Sequence, residues 1–260
     1  MPHPSPTPRV LVIVPAWNEQ GSIADTLAEI KATNPEVDVL VVDDGSGDAT
    51  VLRARETGAL VCELPFNLGV GGAMRTGYRY ALRHDYDVAV QIDADGQHDP
   101  RFLPGLVAAL DHCDVAIGAR FAHADDPYRV RGPRRWAMVL LARVLSLVTR
   151  ARLTDTTSGF RAGNRRAIAI FAAHYPAEYL RDTVESLVIA SRMGCKVVQI
   201  PVDMRPRRTG RASTSPARAA LYLMRAVVAL GLALVRKWPA AFDEGATHSV
   251  ITQGQQEAAS

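Results

Sequence analysis

Cysteine is scarce in this chain: Cys62, Cys113 and Cys195 are the three in 260 residues. Their spacing forms neither a zinc cluster nor a disulfide framework, which fits a reducing cytoplasm. Aromatic residues make up 6% and none is interleaved with the basic clusters, so a base-stacking nucleic-acid surface is not supported. The net charge of +3 is too small to mark a polyanion binder. No stretch of about 18 uncharged apolar residues occurs, so no spanning helix is expected. Met1 to Pro8 is proline-rich, lacks an apolar centre and does not read as a signal peptide. No glycine fingerprint follows the first apolar run, and there is no Gly-Lys-Ser/Thr loop, so dinucleotide and P-loop folds are excluded. Gly69-Val70-Gly71-Gly72 has a different spacing and reads as a turn entering a helix, with a ligand loop as the alternative.

Hydrophobic residues at 48% and charged residues at 22% are enough for a packed core. Strand and helix patterns alternate. Strands are expected at Val10–Val14, Val37–Val42, Leu60–Leu64, Val88–Ile92 and Val115–Ile117. Helices are expected at Ser22–Ala32, Asp48–Thr57, Gly71–Arg83 and Arg101–Asp111. This rhythm predicts an α/β fold, a mostly parallel sheet covered by helices on both faces. Past residue 120 the rhythm breaks into a basic helix at Arg134–Arg150, a loop at Thr154–Arg161, a helix at Tyr179–Met193, a strand at Val197–Val202 and a long helix at Ser215–Lys237. The domain plan is a flexible tail over 1–8, a main α/β domain over 9–215, an amphipathic helix over 216–240 and a second tail over 241–260.

In open α/β sheets ligands bind beyond the carboxyl ends of the strands. Four strand ends here carry polar residues. The first runs into Pro15-Ala16-Trp17-Asn18-Glu19 and the second into Asp43-Asp44-Gly45-Ser46. The strand at Val88 runs into Asp93-Ala94-Asp95, and that at Val115 into Gly118-Ala119-Arg120. Two carboxylates one residue apart suit a hard divalent cation that keeps a phosphate or water in its shell. They also suit an ordinary Asp-rich turn.

Seven motifs taken in order resemble the family-2 inverting glycosyltransferases of GT-A fold, in the branch similar to dolichol-phosphate mannose synthase. They are Val14-Pro15-Ala16-Trp17-Asn18-Glu19, Val42-Asp43-Asp44-Gly45-Ser46, Asn67-Leu68-Gly69 through Gly77, and Asp93-Ala94-Asp95-Gly96-Gln97-His98. Gly118-Ala119-Arg120-Phe121, Thr157-Ser158-Gly159-Phe160-Arg161 and Arg192-Met193-Gly194 through Pro201-Val202 complete the set. The resemblance implies a GT-A, Rossmann-like mixed sheet and transfer of a sugar from a nucleoside-diphosphate sugar, GDP-mannose or a UDP-hexose, to polyprenyl phosphate. It implies donor binding by Pro15, Ala16, Trp17, Asn18, Glu19, Asp43, Asp44, Arg75, Asp93 and Ala94. Mg²⁺ or Mn²⁺ would be held by Asp93, Asp95 and Gln97. Asp93, Asp95 and Arg120 are the expected catalytic residues. The acceptor phosphate would meet Arg120, Arg134, Arg135, Arg208 and Arg211, and Asp182 and Glu185 would either touch the sugar's hydroxyls or form a structural pair. His98 and Asp99 read as turn and cap residues.

A polyprenyl acceptor also needs an apolar surface beside the charge. The helices at 134–150 and 216–240 combine arginines with apolar faces, as helices lying in a membrane interface do. The other reading is that they cover the sheet or form the seam of a homo-oligomer. Relatives often carry a longer apolar C-terminal region, and the basic segment here, Gly210-Arg211-Ala212-Ser213-Thr214, lacks the lysine usual in the family. Peripheral attachment to the cytoplasmic face of a membrane, in service of cell-wall or glycolipid synthesis, is the resulting expectation. The alternatives are the same donor chemistry with a soluble or glycan acceptor, and a non-catalytic nucleotide-sugar-binding module.

Overall fold

Strand β1, Val10–Ala16, is apolar almost throughout and buried through its middle, as a strand covered on both faces must be. The computed structural model describes residues 7–120, 142–151, 153–156, 158–176 and 182–205. The expected helix at 215–237, both tails beyond residues 7–8, Arg134, Arg135, Arg208 and Arg211 lie outside the described residues, as does the first half of the 134–150 helix.

β1 is followed by α1 (Ile23–Thr33), β2 (Asp38–Asp43), α2 (Thr50–Glu56), β3 (Leu60–Glu63), α3 (Val70–Arg83) and β4 (Val88–Gln91). A 3-10 turn at Pro100–Phe102 leads into α4 (Leu103–Ala109), then β5 (Val115–Arg120). Residues 142–149 form α5. β6 (Arg161–Asn164), α6 (Arg165–His174), α7 (Asp182–Arg192) and β7 (Val197–Val202) complete the order. The seven strands lie as β3-β2-β1-β4-β6-β5-β7. All pairings are parallel except those of β6, which runs against both β4 and β5.

Neither β6 nor α6 is legible in the sequence pattern. Arg-Ala-Gly-Asn carries no β-branched residue, and it becomes a strand because β4 and β5 leave a gap that it fills from both sides. The Ala-Ile-Ala-Ile-Phe run of α6 looks as much like a strand as a helix.

Alternate residues of β1 feed two cores. Leu11 and Ile13 pack with α3, α6 and α7, including Tyr78, Phe171 and Leu187. Val12 and Val14 pack with α1 and α4, including Leu27, Ile30 and Leu106. The rings of Tyr78, Phe171 and Tyr175 lie 5.0–5.4 Å apart and join α3 to α6. Among the described residues, no helix is long and apolar enough to cross a membrane.

The sheet opens where its order reverses. β1 pairs with β2 as far as Ala16, but with β4 only as far as Ile13. The Ile13 carbonyl accepts from Ile92 on the β4 side. Pro15, two residues on, faces the same side and has no N–H to leave unpaired there. A crevice at such a switch point is where ligands bind in this class of sheet.

α3 approaches β1 closely because Gly77 faces it: a Cβ there would lie 2.4 Å from Ile13 Cγ2. Gly77→Ala is expected to destabilise the protein by about 1–3 kcal/mol. Gly47→Ala, where a Cβ meets nothing within 4 Å, is expected to leave the melting temperature unchanged. Thermal unfolding of the two variants checks this.

Candidate active site

The first wall of the crevice is two turns laced together. Asn18 adopts a positive φ of 54°, which asparagine tolerates better than most residues. Its N–H donates to Ser46 Oγ at 2.9 Å, and its Oδ1 accepts from Gly47 N at 2.9 Å. Glu19 N donates to Thr50 Oγ1 at 2.9 Å, and Ala49 N donates to Gln20 Oε1 at 3.1 Å. Asn18 and Glu19 therefore brace the turn after β1 against the loop after β2. At the end of β1, Pro15 is partly buried and Ala16 buried, and Trp17, the next residue, is half-exposed.

The two neighbouring aspartates do different things. Asp43 is 2% exposed, and its Oδ2 accepts from Ser46 N at 2.9 Å. Its Oδ1 is buried with no hydrogen-bond partner among the described residues. Such an acceptor suits a donor brought by a ligand. Asp44, expected beside it as a donor contact, gives its oxygens to the N–H groups of Leu68 (2.7 Å) and Gly69 (2.8 Å). Burial lifts its pKa above the ordinary value, against the opposing pull of those two amides. Asp44 thus holds the glycine-rich turn that starts α3. Arg75 also departs from expectation: its guanidinium donates to the carbonyls of Ala172 (3.4 Å) and Ala173 (2.7 Å), in the last turn of α6. Carbonyls in a helix's last turn lack partners of their own, and a cation satisfies them.

Across β1 lies the loop after β4. Asp93 is half-exposed, and its Oδ1 accepts from Gln91 Nε2 at 2.9 Å. Asp95 Oδ1 accepts from Gln97 N at 3.0 Å, closing a tight turn. Ala94 is buried, and its carbonyl accepts from Thr26 of α1 at 3.1 Å. Gln97 donates through Nε2 to the Arg205 carbonyl at 3.4 Å. The residues that sequence reasoning assigned to a metal are two carboxylates and an amide, all hard oxygen donors. Among the described residues there is no group of three His, Cys, Asp or Glu able to cage an ion. This donor set fits Mg²⁺ or Mn²⁺ sharing its shell with phosphate oxygens.

A third wall comes from residues 158–161. Gly159 packs onto Asp93: a Cβ there would lie 2.9 Å from Asp93 Oδ2 and 2.9 Å from Gln91 Nε2. Arg161, 4% exposed, donates to the carbonyls of Ser158 (2.8 Å), Thr156 (3.2 Å) and Thr183 (2.8 Å) and to Ser186 Oγ (2.9 Å). It ties this loop to the first turns of α7, which carries Glu185, half-buried, and begins at Asp182. Arg120 ends β5 at the same sheet edge; its side chain, like that of Asp182, is outside the described residues. Gly159 and Arg161 stood in a recognised motif without an assigned role. Only their contacts across the fold supply one.

The loop after β4 is also joined to the segment after β7. Arg205 N donates to the Gln97 carbonyl at 2.9 Å, and His98 bridges to Met204. The Arg205 guanidinium pairs with Glu29 at 2.5 Å and with Asp99 at 2.8 Å. Arg205, first of the Arg205–Arg211 cluster, therefore anchors that segment. Hydrogen bonding from Arg101, with Arg205 adding to it, holds the Asp99 carboxyl down at about 2.

The model of glycosyl transferase family 2 matches residues 11–171. The chain belongs to that family. It is 34% identical over 218 residues to undecaprenyl-phosphate mannosyltransferase of Micrococcus luteus, covering 80% of this chain and 88% of that protein. It is 30% identical over 231 residues to polyprenol monophosphomannose synthase of Mycolicibacterium smegmatis, covering 84% and 86%. These relatives match the branch resembling dolichol-phosphate mannose synthase, and the chain is a glycosyltransferase. The fold is that of the crystal structure of glucosyl-3-phosphoglycerate synthase from Mycobacterium tuberculosis in complex with Mn²⁺, uridine diphosphate and phosphoglyceric acid. The TM-score is 0.68 at 22% identity, covering 89% of this chain and 80% of that one.

Two outcomes follow for this glycosyltransferase. Gly159→Ala forces Asp93 or Gln91 to move, so activity is expected to fall at least about tenfold, with far-UV circular dichroism unchanged. Asp99 is stabilised in its ionised form, so that stabilisation is complete above its ordinary pKa of 3.8 and fades as pH falls toward about 2. Asp99→Asn is expected to cost about 1–2 kcal/mol at pH 7, with the gap to the parent closing below about pH 3. Urea unfolding across pH measures it.

Proposed function

We propose that this family-2 enzyme transfers a hexose-type sugar, with inversion, from a nucleoside-diphosphate sugar to the phosphate of a polyprenyl phosphate. One observation carries the donor half of the reading: the unpartnered Asp43 oxygen and the Asp93–Asp95 loop flank the open end of β1. Asp43 Oδ1 accepts from the donor's base or ribose, over the floor of Pro15 and Ala16 and beside Trp17. Asp93, Asp95 and Gln97 hold the divalent cation at the diphosphate end. That cation, Mg²⁺ or Mn²⁺, supplies neutralisation of the charge that grows on the departing nucleoside diphosphate.

The acceptor half rests on the relatives. Two similar proteins are named for sugar transfer to undecaprenyl phosphate and polyprenol phosphate. A phosphate monoester is anionic near neutral pH, so its oxygen attacks the anomeric carbon without a dedicated base. The bond from that carbon to the donor phosphate oxygen breaks on the opposite face, and the nucleoside diphosphate leaves. Arg120, Arg134, Arg135, Arg208 and Arg211 hold the acceptor phosphate against the second anion. Asp182 and Glu185 contact sugar hydroxyls from α7. On α5 the exposed residues Arg143 and Leu147 stand about one helical turn apart, with Leu147 79% exposed, and exposed Arg150 follows directly after the helix. That mix of charge and apolar surface supports peripheral contact with the cytoplasmic face of a membrane.

The test is a screen of labelled GDP-mannose, UDP-glucose and UDP-N-acetylglucosamine with a short polyprenyl phosphate. One donor is expected to yield a lipid-linked sugar with Mn²⁺ or Mg²⁺, and none with EDTA. Asp95→Asn is expected to lower transfer at least about 100-fold. Unchanged transfer by that variant would sink the metal assignment. Equal transfer to a soluble phosphate ester, with no flotation on anionic liposomes, would move the acceptor to the soluble class.

A further inference from the structure

We infer that Gln91 and His98 are positioning residues that hold the Asp93 carboxylate in the orientation the cation needs. This deepens the proposed metal site and rests on it. Gln91, the last residue of β4, is 2% exposed. Its Nε2 donates to Asp93 Oδ1 at 2.9 Å, while its own Oε1 is buried with no partner among the described residues. A buried amide with an unused acceptor is a poor core residue, and methionine would fill the same space at less cost. The grip on Asp93 is what the amide provides there.

His98 works from the other side. It is 4% exposed and stacks on Phe160, with ring centroids 5.1 Å apart and planes 13° from parallel. Its Nδ1 accepts the N–H of Asp93 at 3.1 Å. The ring proton of the neutral imidazole is therefore on Nε2, which lies 3.6 Å from Asp93 Oδ2. The backbone bridge to Met204 steadies the same residue. Gly159 completes the enclosure by lacking a side chain: a Cβ there would lie 2.9 Å from both Asp93 Oδ2 and Gln91 Nε2, so only glycine leaves the space those two groups occupy. Asp93 is thus held at its amide by His98 and at Oδ1 by Gln91, both buried, while His98 Nε2 faces Oδ2 from just beyond hydrogen-bond reach. Groups placed behind a metal ligand in this way typically change metal affinity 10- to 100-fold, roughly, when removed.

The experiment uses the full chain and three variants. Gln91→Met removes both amide atoms at similar length. His98→Phe keeps the stack on Phe160 but removes both nitrogens. His98→Asn keeps an acceptor for the Asp93 N–H. Mn²⁺ binding is read by electron paramagnetic resonance with UDP or GDP present, and melting temperature is read without metal. Gln91→Met is expected to melt no lower than the parent yet bind Mn²⁺ about 10- to 100-fold more weakly. His98→Phe is expected to weaken Mn²⁺ in the same direction, with His98→Asn within about threefold of the parent. If His98→Phe does not fold, Gln91→Met decides the matter alone. Parent-like Mn²⁺ affinity in Gln91→Met overturns the inference and leaves the metal site standing. No Mn²⁺ binding by the parent with either nucleotide overturns the metal site itself, and this inference with it.

Discussion

Everything at the functional end of this protein depends on where β1 and β4 stop pairing. Parallel strands are joined by their backbones, and when that ladder ends at Ile13 and Gln91 the two chains must go separate ways. β1 continues along β2 to Ala16, with Pro15 on its open side. β4 turns at once into Asp93-Ala94-Asp95. The groove between them is a consequence of strand order, since β1 connects outward to β2 and β3 before the chain returns to place β4 on its other flank.

Around that groove the chain spends its polar groups in two ways. Asp44, Asn18, Arg75 and Arg161 bind backbone groups of neighbouring segments and keep the walls in place. Asp43 and Asp93 keep oxygen atoms in or near the groove that the protein itself only partly uses. The distinction is physical. A carboxylate whose oxygens already accept two amides has little left to attract a ligand, whereas a buried oxygen with no partner favours whatever brings a proton or a cation. The lacing of Glu29, Arg205 and Asp99 adds a mechanical link: the strand leading toward the basic cluster is fastened to the loop that carries Asp93 and Asp95.

Much of this was legible in one sequence. The β-α rhythm as far as Val115 emerged as drawn, because its strands are apolar runs and its helices carry local periodicity. The polar clusters at four strand ends stood out because ligands in open α/β sheets bind beyond the carboxyl ends of the strands. What escaped depended on partners distant in the chain. β6 has the composition of a loop and is a strand only because β4 and β5 flank it. Gly159 is an ordinary glycine until its Cα is seen against Asp93, and His98 looks like a turn residue until its ring nitrogens are located.

The sequence by itself determined the chemistry available: which residue types occur, that apolar runs end in carboxylates, and that seven ordered motifs resemble one family of sugar transferases. Only the tertiary structure decided which of those groups are spent on holding the protein together and which face the groove. Asp43 and Asp44 are adjacent and identical in type, yet Asp44 has both oxygens taken by backbone amides while Asp43 keeps one with no partner among the described residues. Hydrogen-bonding capacity is finite, and where a side chain spends it is set by neighbours that the fold brings from dozens of residues away.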